Sequence, residues 1–443
     1  MKKTSPPQPS RVAVTTLGCK VNQFESAAFL SEFAARGLTI VPFSESADIY
    51  VINTCAVTAR AGAQSRQLIR RALKANPKAR LIITGCYAQV ASEDILALVE
   101  QPLCLVGNAY KHRLVEVALA DSRCDLEMYL GDLAGAREVC PLTVTGFAGR
   151  TRSYLKVQDG CNQFCTYCIV PYARGRSRSV PPEAVLAQAR LFVEQGFREM
   201  VLTGIHLGHY GLDLTPPMHL TALVDRLLAQ ALPVRYRLSS LEPTEITEEL
   251  LARIAEAPPL MPHLHIPLQS GDDRILAAMH RRYTRQQFAE IIARCAAAVP
   301  GLAIGVDVLV GFPGEDEAAF RNTYDLLAGL PVSYLHVFPY SRRPGTLAAK
   351  MPGQVPGMVK DERVALLRTL DQHKRRAFYA SHLGETCQVL AEPGKGGKTL
   401  RGFTEHYVPV TFAAPASAAN TVVAVRLDRL SDEGVIGTLT AGT

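Results

Sequence analysis

The sequence predicts an α/β protein of three units: a doubly wound parallel α/β domain, an incomplete (β/α)6 barrel and a small C-terminal β-barrel. Strand-like and helix-like patterns alternate along residues 10–123 and again along residues 147–377, which favours parallel sheets with crossover helices. Residues 380–443 instead hold five short strand patterns separated by Gly-rich turns, a texture typical of a small barrel. A chain of 443 residues is long enough for each unit to bury its own core.

The composition describes a globular protein without a membrane span. Hydrophobic residues make up 48% and charged residues 20% of the chain, and no apolar run approaches the ~20 residues of a spanning helix. The first ten residues, MKKTSPPQPS, lack the apolar core of a signal peptide. Eleven cysteines without an export signal indicate reduced thiols. We therefore expect a cytoplasmic protein that has no contact with a membrane.

The N-terminal domain places three cysteines after successive strands. Its predicted strands are Val12–Leu17, Asp48–Ile52, Leu81–Thr84 and Leu103–Val106, with helices near Gln23–Arg36, Thr58–Ala75 and Glu93–Glu100. Cys19, Cys55 and Cys86 follow the first three strands. Because the carboxyl ends of parallel strands share one edge of the sheet, we expect these thiols to meet in space. The alternative is three ordinary buried thiols, since free cysteine is among the most buried residue types.

A basic helix face lies in the same domain. No acidic residue occurs from Ile49 to Ser92, and Arg66, Arg70 and Lys74 repeat there at i, i+4 and i+8. The common explanation is a solvated helix face. The alternative is a stripe that faces phosphates, because no local carboxylate neutralises it.

The central unit begins with a cysteine loop that could hold a metal cluster. Its six predicted strands are Tyr154–Gln158, Met200–Gly204, Arg235–Ser239, His263–Pro267, Gly305–Val310 and Tyr334–Phe338. Cys161, Cys165 and Cys168 follow the first strand with C-x₃-C-x₂-C spacing. A zinc site normally needs four protein ligands, whereas three thiolates suit a 4Fe–4S cluster with one iron left open.

This loop carries a family resemblance. With Tyr167 before its last cysteine it resembles the radical S-adenosylmethionine enzymes, and the wider run through PYARGR resembles the methylthiotransferases. The resemblance implies that the open iron binds S-adenosylmethionine and that an electron from the cluster cleaves it to a 5′-deoxyadenosyl radical. The family carries the N-terminal trio too, which implies a second 4Fe–4S cluster on Cys19, Cys55 and Cys86.

The resemblance also assigns cofactor contacts at strand ends of the barrel. By it, Tyr167 contacts the adenine, Thr203 and Gly204 contact the methionyl amino group, and Val310 lies on the adenine face. Ser240 and Glu242 contact the ribose or the methionyl end, and Gln269 is a further cofactor-binding residue in the HIPLQSG segment. The three arginines of Arg174–Arg178 could pair with phosphates or with acidic residues, and the sequence leaves both open.

The C-terminal unit resembles the TRAM domain, an RNA-binding β-barrel. Five basic and six acidic side chains balance in residues 380–443, so RNA binding would depend on local groups such as Lys395, Lys398 and Arg401. The His406–Tyr407 pair could stack on a base, although a barrel aromatic is more often part of the core. Cys104, Cys124, Cys140, Cys295 and Cys387 show no pattern and are interpreted as packing residues.

The residues around Cys19 indicate which substrate the enzyme acts on. GCKVNQFES resembles the enzymes that act on N6-threonylcarbamoyladenosine beside the tRNA anticodon. That resemblance implies conversion to the 2-methylthio derivative, with the tRNA anticodon loop, a sulfur source and an electron donor such as a flavodoxin or ferredoxin as partners. The adenine C2–H is not acidic, so radical chemistry suits the reaction.

Three alternatives remain open at this point. The substrate could be isopentenyladenosine in tRNA or a ribosomal protein. A different class is a non-catalytic iron–sulfur protein that binds RNA. Two three-cysteine sites disfavour the last, since structural clusters usually have four protein ligands.

Overall fold

The N-terminal domain is a six-stranded parallel sheet with helices on both faces. The computed structural model describes residues 10–99, 102–120, 126–147, 149–394 and 399–440. The strand order is β2-β1-β3-β4-β5-β6, so the predicted doubly wound topology is confirmed. The strands are β1 (Arg11–Thr16), β2 (Thr39–Ile40), β3 (Ile49–Thr54), β4 (Arg80–Gly85), β5 (Leu103–Val106) and β6 (Leu126–Tyr129). The helices are α1 (Lys20–Ala35), α2 (Ala59–Ala75), α3 (Cys86–Val90), α4 (Ser92–Leu96) and α5 (Leu114–Leu119).

Helix α1 packs against two units at once. Phe29 and Phe33 are buried in the core of the N-terminal domain. Phe24, Ala27 and Ala28 are buried in the core of the central barrel. The helix therefore contributes apolar side chains to two cores and joins the two domains. It begins three residues before the predicted start, directly after Cys19.

The central unit is a six-stranded partial barrel, as the sequence predicted. Its strands hydrogen-bond as two parallel triplets, β7-β10-β11 and β12-β13-β14, while the short β8 and β9 pair across the base of the cysteine loop. The strands are β7 (Arg152–Lys156), β8 (Gln158–Asp159), β9 (Arg178–Ser179), β10 (Glu199–Thr203), β11 (Arg235–Leu238), β12 (His263–His265), β13 (Ala303–Val310) and β14 (Tyr334–Pro339). The helices are α6 (Val170–Arg174), α7 (Pro182–Glu194), α8 (Leu220–Leu228), α9 (Glu248–Glu256), α10 (Asp273–Ala278), α11 (Arg285–Ala298), α12 (Glu317–Gly329) and α13 (Gly357–Ser381).

The C-terminal unit is a closed five-stranded barrel, which confirms the predicted fold. Its strand order is β15-β16-β17-β19-β18. Cys387 and Cys295 are buried in apolar cores, as expected of packing residues, whereas Cys124, Lys395 and Lys398 lie outside the described residues. The strands are β15 (Thr386–Pro393), β16 (Thr399–Phe403), β17 (Pro409–Ala413), β18 (Val422–Ser431) and β19 (Gly434–Leu439).

A buried ionic network joins the N-terminal domain to the barrel. Arg174 Nη1 lies 3.0 Å from Glu25 Oε1 and 2.9 Å from Asp159 Oδ1. Lys156 Nζ lies 2.7 Å from Asp159 Oδ2, and Lys111 pairs with Glu25. None of the five side chains exposes more than 8% of its surface. Burial alone would raise the pKa of Glu25, but Arg174 and the lysines lower it to about 2, so both carboxylates are charged.

A second buried network joins the barrel to the C-terminal unit. Glu199 is fully buried and lies 2.5 Å from Arg235 Nη2 and 3.3 Å from Arg237 Nε. The same arginines donate to backbone carbonyls across the domain boundary, Arg235 to Gln388 at 2.8 Å and Arg237 to Glu405 at 3.2 Å. The C-terminal barrel is therefore held at the amino-terminal ends of the central strands.

The described residues also bear on membrane insertion. Within them, no helix combines the length and the apolar character that crossing a bilayer requires.

The Arg174 network gives a stability prediction. Replacing Arg174 with Met leaves Glu25 and Asp159 buried with fewer positive partners, and breaking a buried pair typically costs about 3–5 kcal/mol. Urea unfolding should show a loss of that order in the free energy of unfolding. The control is Arg321→Met, because Arg321 is 70% exposed and should change stability by less than about 0.5 kcal/mol. Equal stability of the two variants would contradict the structural role of the network.

Candidate active site

The cysteine loop of the barrel is shaped by its backbone. Gly160 has φ +75°, and a Cβ there would collide with the backbone oxygen of Arg176. The Cys161 N–H donates to Gly175 O at 3.0 Å, and the Cys168 N–H donates to Cys165 O at 2.9 Å. The loop is thus closed at its base and turned tightly within, which directs its thiols to one side.

Two donors, one after strand β10 and one after helix α10, contact these thiols. His206 Nδ1 lies 3.5 Å from Cys161 Sγ, and its Nε2 lies 2.5 Å from Glu245 Oε1. Burial lowers the pKa of His206, but the bonds to Cys161 and Glu245 raise it to about 10. The ring is therefore protonated and donates on both sides. Arg281 Nη1 donates to Cys165 Sγ at 3.5 Å and also pairs with Glu242.

The second trio meets at the edge of the N-terminal sheet, as predicted. Strands β1, β3 and β4 are adjacent, and Cys19, Cys55 and Cys86 follow their carboxyl ends. Gly18 has φ +100°, and a Cβ there would lie 2.9 Å from Cys55 Sγ. Burial, followed by the Cys86 thiol, raises the pKa of Cys55 to about 11. Side-chain amides of Asn22 and Asn108 lie 3.9 Å from Cys19 Sγ and 4.0 Å from Cys86 Sγ.

The two trios lie on either side of one interface. Helix α6, which directly follows Cys168, packs on α3, which begins at Cys86. Asn108 spans the boundary, because its amide donates to Ala173 O at 2.6 Å and approaches Cys86. Burial raises the pKa of Cys86 and of Cys55, and Arg174, at the end of α6, lies close enough to oppose part of that rise at both thiols.

The sulfur spacing differs from that of a single zinc ion. Within the described ranges, the groups that bring three ligand atoms within 4.8 Å are His206, His209 and Glu245, and His265, Asp307 and His336. In each cysteine trio, at least one pair of sulfurs lies farther apart than 4.8 Å. A tetrahedral zinc with Zn–S bonds of ~2.3 Å holds its sulfurs only about 3.8 Å apart. Each trio is therefore spread more widely than one zinc requires.

Four of the predicted cofactor residues lie around the cysteine loop. Tyr167 packs against Phe312, with ring centroids 6.5 Å apart. Thr203 is buried at the end of β10, and a Cβ at Gly204 would lie 2.7 Å from a side-chain oxygen of Gln158. Burial raises the pKa of Glu242, opposed by Arg281. The Gln158 side chain thus explains the glycine at 204, and Arg281 links the Glu242 carboxylate to the Cys165 thiol.

The other three predicted residues are placed differently. Ser240 Oγ lies 2.7 Å from His265 Nδ1, inside the barrel. Gln269 has φ +65°, a conformation rare outside glycine, and its N–H donates to Asp307 O at 2.9 Å. Val310 is 1% exposed within the apolar core. Their contacts with a cofactor remain predictions.

The structure shows which groups the three arginines of Arg174–Arg178 contact. Arg174 pairs with acidic residues, and Arg178 is buried and donates to the Arg174 carbonyl at 2.5 Å. Arg176 is exposed and lies 5.5 Å from the Phe164 ring centre. At least two of these arginines thus serve internal contacts.

The three basic residues on one face of α2 differ in their surroundings. Arg66 donates to the Tyr87 hydroxyl at 2.8 Å, whereas Arg70 and Lys74 are exposed. Phosphate binding by this face stays a prediction.

A cavity of about 650 Å³ lies inside the barrel at the junction of all three units. Lys20, next to Cys19, and Ser240 contribute to its wall. Tyr407 from the C-terminal barrel lines it too, whereas His406 bonds to Gly301 O at 2.8 Å. Enclosure, followed by Arg237 and Arg152, lowers the pKa of Lys20.

Sequence reasoning missed several residues of the site. His206 follows a predicted strand end, and the pair of histidines in IHLGH was the available signal. Arg281 and Glu25 carried no signal, because each acts through contacts distant in sequence: 116 residues separate Arg281 from Cys165, and 149 separate Glu25 from Arg174.

Comparison with known proteins identifies the family. Residues 155–327 match the model of the Radical SAM superfamily, and residues 11–107 match Uncharacterized protein family UPF0004. The chain is 40% identical over 402 residues to the threonylcarbamoyladenosine tRNA methylthiotransferase MtaB of Aquifex aeolicus (strain VF5), which covers 90% of this chain and 96% of the relative. The chain belongs to the radical S-adenosylmethionine methylthiotransferases.

Two further similarities agree with this family. The Bacillus subtilis (strain 168) protein of the same name is 38% identical and covers 94% of this chain and 93% of its own length. The fold is similar to that of the radical S-adenosylmethionine methyltransferase TsrM from Kitasatospora setae, with a TM-score of 0.54 at 15% identity, covering 77% and 74% of the two chains. That likeness concerns the fold alone.

The residues present fit the cofactors that the family implies. A radical S-adenosylmethionine methylthiotransferase uses S-adenosylmethionine and a 4Fe–4S cluster, and the loop offers three free thiols, the number that leaves one iron of such a cluster without a protein ligand. The protonated His206 and Arg281 supply hydrogen bonds and positive charge to Cys161 and Cys165, which suits ligands that bind as thiolates.

The His206 contact gives a prediction about reduction potential. Hydrogen bonds to ligand sulfurs favour the more negatively charged, reduced cluster. We expect His206→Phe to lower the midpoint potential of the central cluster by about 50 mV, since about 1.4 kcal/mol corresponds to 59 mV for one electron. Anaerobic redox titration followed by electron paramagnetic resonance measures it.

The matched control for this variant is His209→Phe. His209 stacks on His206 with centroids 3.7 Å apart, and among the contacts of the described residues it has none with a cysteine. The midpoint potential of the central cluster in His209→Phe should stay at the wild-type value. An unchanged potential in His206→Phe would show that the contact does not tune the cluster.

Proposed function

We propose that this enzyme converts N6-threonylcarbamoyladenosine beside the tRNA anticodon to its 2-methylthio derivative, using two 4Fe–4S clusters. The observation that carries the proposal is the meeting of two three-cysteine sites across one buried interface. Three thiols at each site leave one iron of each cluster without a protein ligand. One site serves S-adenosylmethionine on Cys161, Cys165 and Cys168. The other, on Cys19, Cys55 and Cys86, holds the sulfur to be transferred.

The substrate assignment is supported by two lines of evidence. The relatives that are 40% and 38% identical over nearly their whole length are named threonylcarbamoyladenosine tRNA methylthiotransferases. The sequence GCKVNQFES around Cys19 resembles the same group. An RNA loop suits the reaction, because its bases can be unstacked and presented to an enzyme.

The residues near the central loop have defined roles in this proposal. When bound, the cluster and S-adenosylmethionine supply the carbon-radical chemistry that attack at an aromatic C–H requires. Thr203 and Gly204 give the methionyl amino group a close approach to backbone, while Glu242, held by Arg281, offers it a carboxylate. Tyr167, together with Gln269 and Val310 at strand ends, borders the adenine. Ser240 offers a hydroxyl to the ribose.

The network around Arg174 has a positioning role. It is rigid because each charge has partners on more than one element, and it lies between the helices that follow Cys168 and Cys86. It therefore fixes the distance between the two proposed clusters and keeps water out of the interface. A radical generated at one site then reaches the substrate where sulfur is held at the other.

The three domains divide the work. Residues 10–123 carry the sulfur-holding cluster, residues 147–377 the radical chemistry, and residues 380–443 an RNA-binding barrel. Arg401 and Tyr407 of this C-terminal barrel line the cavity inside the central barrel. An electron donor such as a flavodoxin or ferredoxin and a sulfur source complete the reaction.

The substrate is tested by product analysis. Reduced, iron-loaded enzyme with S-adenosylmethionine and a stem-loop that carries N6-threonylcarbamoyladenosine should yield 2-methylthio-N6-threonylcarbamoyladenosine, detected by mass spectrometry of nucleosides. An isopentenyladenosine stem-loop and a ribosomal protein should react at least about 100-fold more slowly, since a site built for polar groups rejects analogues that lack them. Preferential modification of either one would overturn the assignment.

The division of labour is tested by removing each trio. Changing Cys161, Cys165 and Cys168 to Ala should halve the iron content from about eight to about four per chain and abolish 5′-deoxyadenosine formation. Changing Cys19, Cys55 and Cys86 to Ala should also halve the iron, but spare 5′-deoxyadenosine formation and stop sulfur transfer. The control is Cys295→Ala, in an apolar core, which should keep all the iron. Methylthiolation by the second variant would show the roles to be wrong.

A further inference from the structure

The cavity inside the barrel has the size and position of a substrate pocket. Its volume of about 650 Å³ lies within the ~300–1,000 Å³ of ligand-binding sites. Its wall includes Lys20, next to the proposed cluster ligand Cys19, and Ser240 at a strand end of the barrel. The opposite wall comes from the C-terminal barrel, with Arg401 and Tyr407. The proposed sulfur site, the barrel and the proposed RNA-binding unit all border this space.

The cavity wall has an excess of positive charge. Two carboxylates line it, and both already have partners: Asp307 contacts His265 at 3.2 Å, and Glu392 contacts Arg152 at 3.0 Å. Five cationic side chains line it: Lys20, Arg150, Arg152, Arg237 and Arg401. Arg152 pairs with Glu392 and Arg237 with the buried Glu199, whereas Lys20, Arg150 and Arg401 form no ion pair with a described residue. The positive charge that remains favours a ligand that carries negative charge.

Lys20 differs from the other cavity cations because it lies next to the proposed cluster ligand Cys19. It is accessible from the cavity, and within the described part of the chain its ammonium forms no ion pair or hydrogen bond. It occupies the first position of α1, a helix without an acidic residue in its first turn, where the helix dipole also disfavours a cation. Asp307 offsets part of the repulsion that Arg237 and Arg152 exert on Lys20, and an incoming anion would relieve the rest.

The remaining walls suit a planar base. Tyr334 and Phe338 lie on β14, and Tyr407, which stacks on Phe403, lies 6.2 Å from Tyr334 between ring centres. Phe338 is 48% exposed. Aromatic side chains of this kind stack on nucleobases. The combined chemistry is that of a nucleobase bearing an anionic substituent.

We propose that the cavity receives the N6 substituent of the substrate nucleoside, and that Lys20 binds its carboxylate. This inference rests on the proposed function, because the threonylcarbamoyl group ends in an amino-acid carboxylate and a hydroxyl. Since Lys20 follows Cys19 directly, a nucleoside held by this contact lies beside the sulfur-holding site. The same ion pair rejects adenosines whose N6 substituent is apolar, because they leave the enclosed ammonium without a partner.

The test compares binding of three stem-loops of one sequence to iron-loaded enzyme without S-adenosylmethionine. One carries N6-threonylcarbamoyladenosine, the second carries its methyl ester, and the third carries unmodified adenosine. Wild-type enzyme should bind the free acid about 10- to 100-fold more tightly than the ester, as expected for a hydrogen bond to a charged group. Lys20→Met should remove that difference, and Lys20→Arg should retain most of it. Lys78→Met, an exposed lysine of the same domain, is the matched control and should behave as wild type.

Each other outcome overturns the inference in a distinct way. If Lys20→Met weakens all three stem-loops equally, Lys20 contacts a phosphate of the RNA. If the variant loses iron, Lys20 is a counter-ion of the proposed cluster. If it binds all three as wild type does, Lys20 contacts no ligand. If the wild-type enzyme fails to methylthiolate the free-acid stem-loop, the proposed function itself is wrong. That measurement needs only the wild-type enzyme, so the two failures can be told apart.

Discussion

The buried contact of Arg174 with Glu25 and Asp159 is the constraint on which the rest of the structure depends. Desolvating two carboxylates is costly unless cations and hydrogen bonds compensate it. Glu25 comes from the N-terminal domain, whereas Arg174 and Asp159 belong to the barrel. Compensation therefore exists only when the two domains are docked in one arrangement. That arrangement brings the helices after Cys168 and Cys86 into contact, so the polar interface specifies how the cysteine sites face one another.

The Glu199 network applies the same physics at the other end of the barrel. Its arginines satisfy a fully buried carboxylate and at the same time donate to carbonyls of the C-terminal barrel. An apolar interface could slide, but hydrogen bonds to fixed carbonyls have direction and set a register. The charged networks thus orient the domains, while apolar residues of α1 also pack into the core of the central barrel. The positive cavity lies between these two networks, where all three units contribute to its wall.

The sulfur environments follow from loops at strand ends. Parallel strands bring their carboxyl ends to one edge, and glycines with positive φ, such as Gly18 and Gly160, allow the following cysteines to turn inward. The donors His206 and Arg281 come from the segments that follow β10 and α10. The fold thereby places fixed positive groups beside thiols before any ligand binds, so little reorganisation is needed when negative charge develops there.

The sequence by itself determined the three folds, the two cysteine trios and the family. These features are local or periodic: alternating strands and helices, C-x₃-C-x₂-C spacing, and one cysteine after each of three strands. Tertiary structure alone decided the partners of Arg174, the contacts of His206 and Arg281 with the thiols, and the enclosure of Lys20. Each of these depends on residues far apart in the chain, and no periodicity reports which charge will meet which. The arginine run after Cys168 shows the difference, because its composition allowed phosphate or carboxylate partners, and only the docking of α1 against the barrel supplied Glu25 to Arg174.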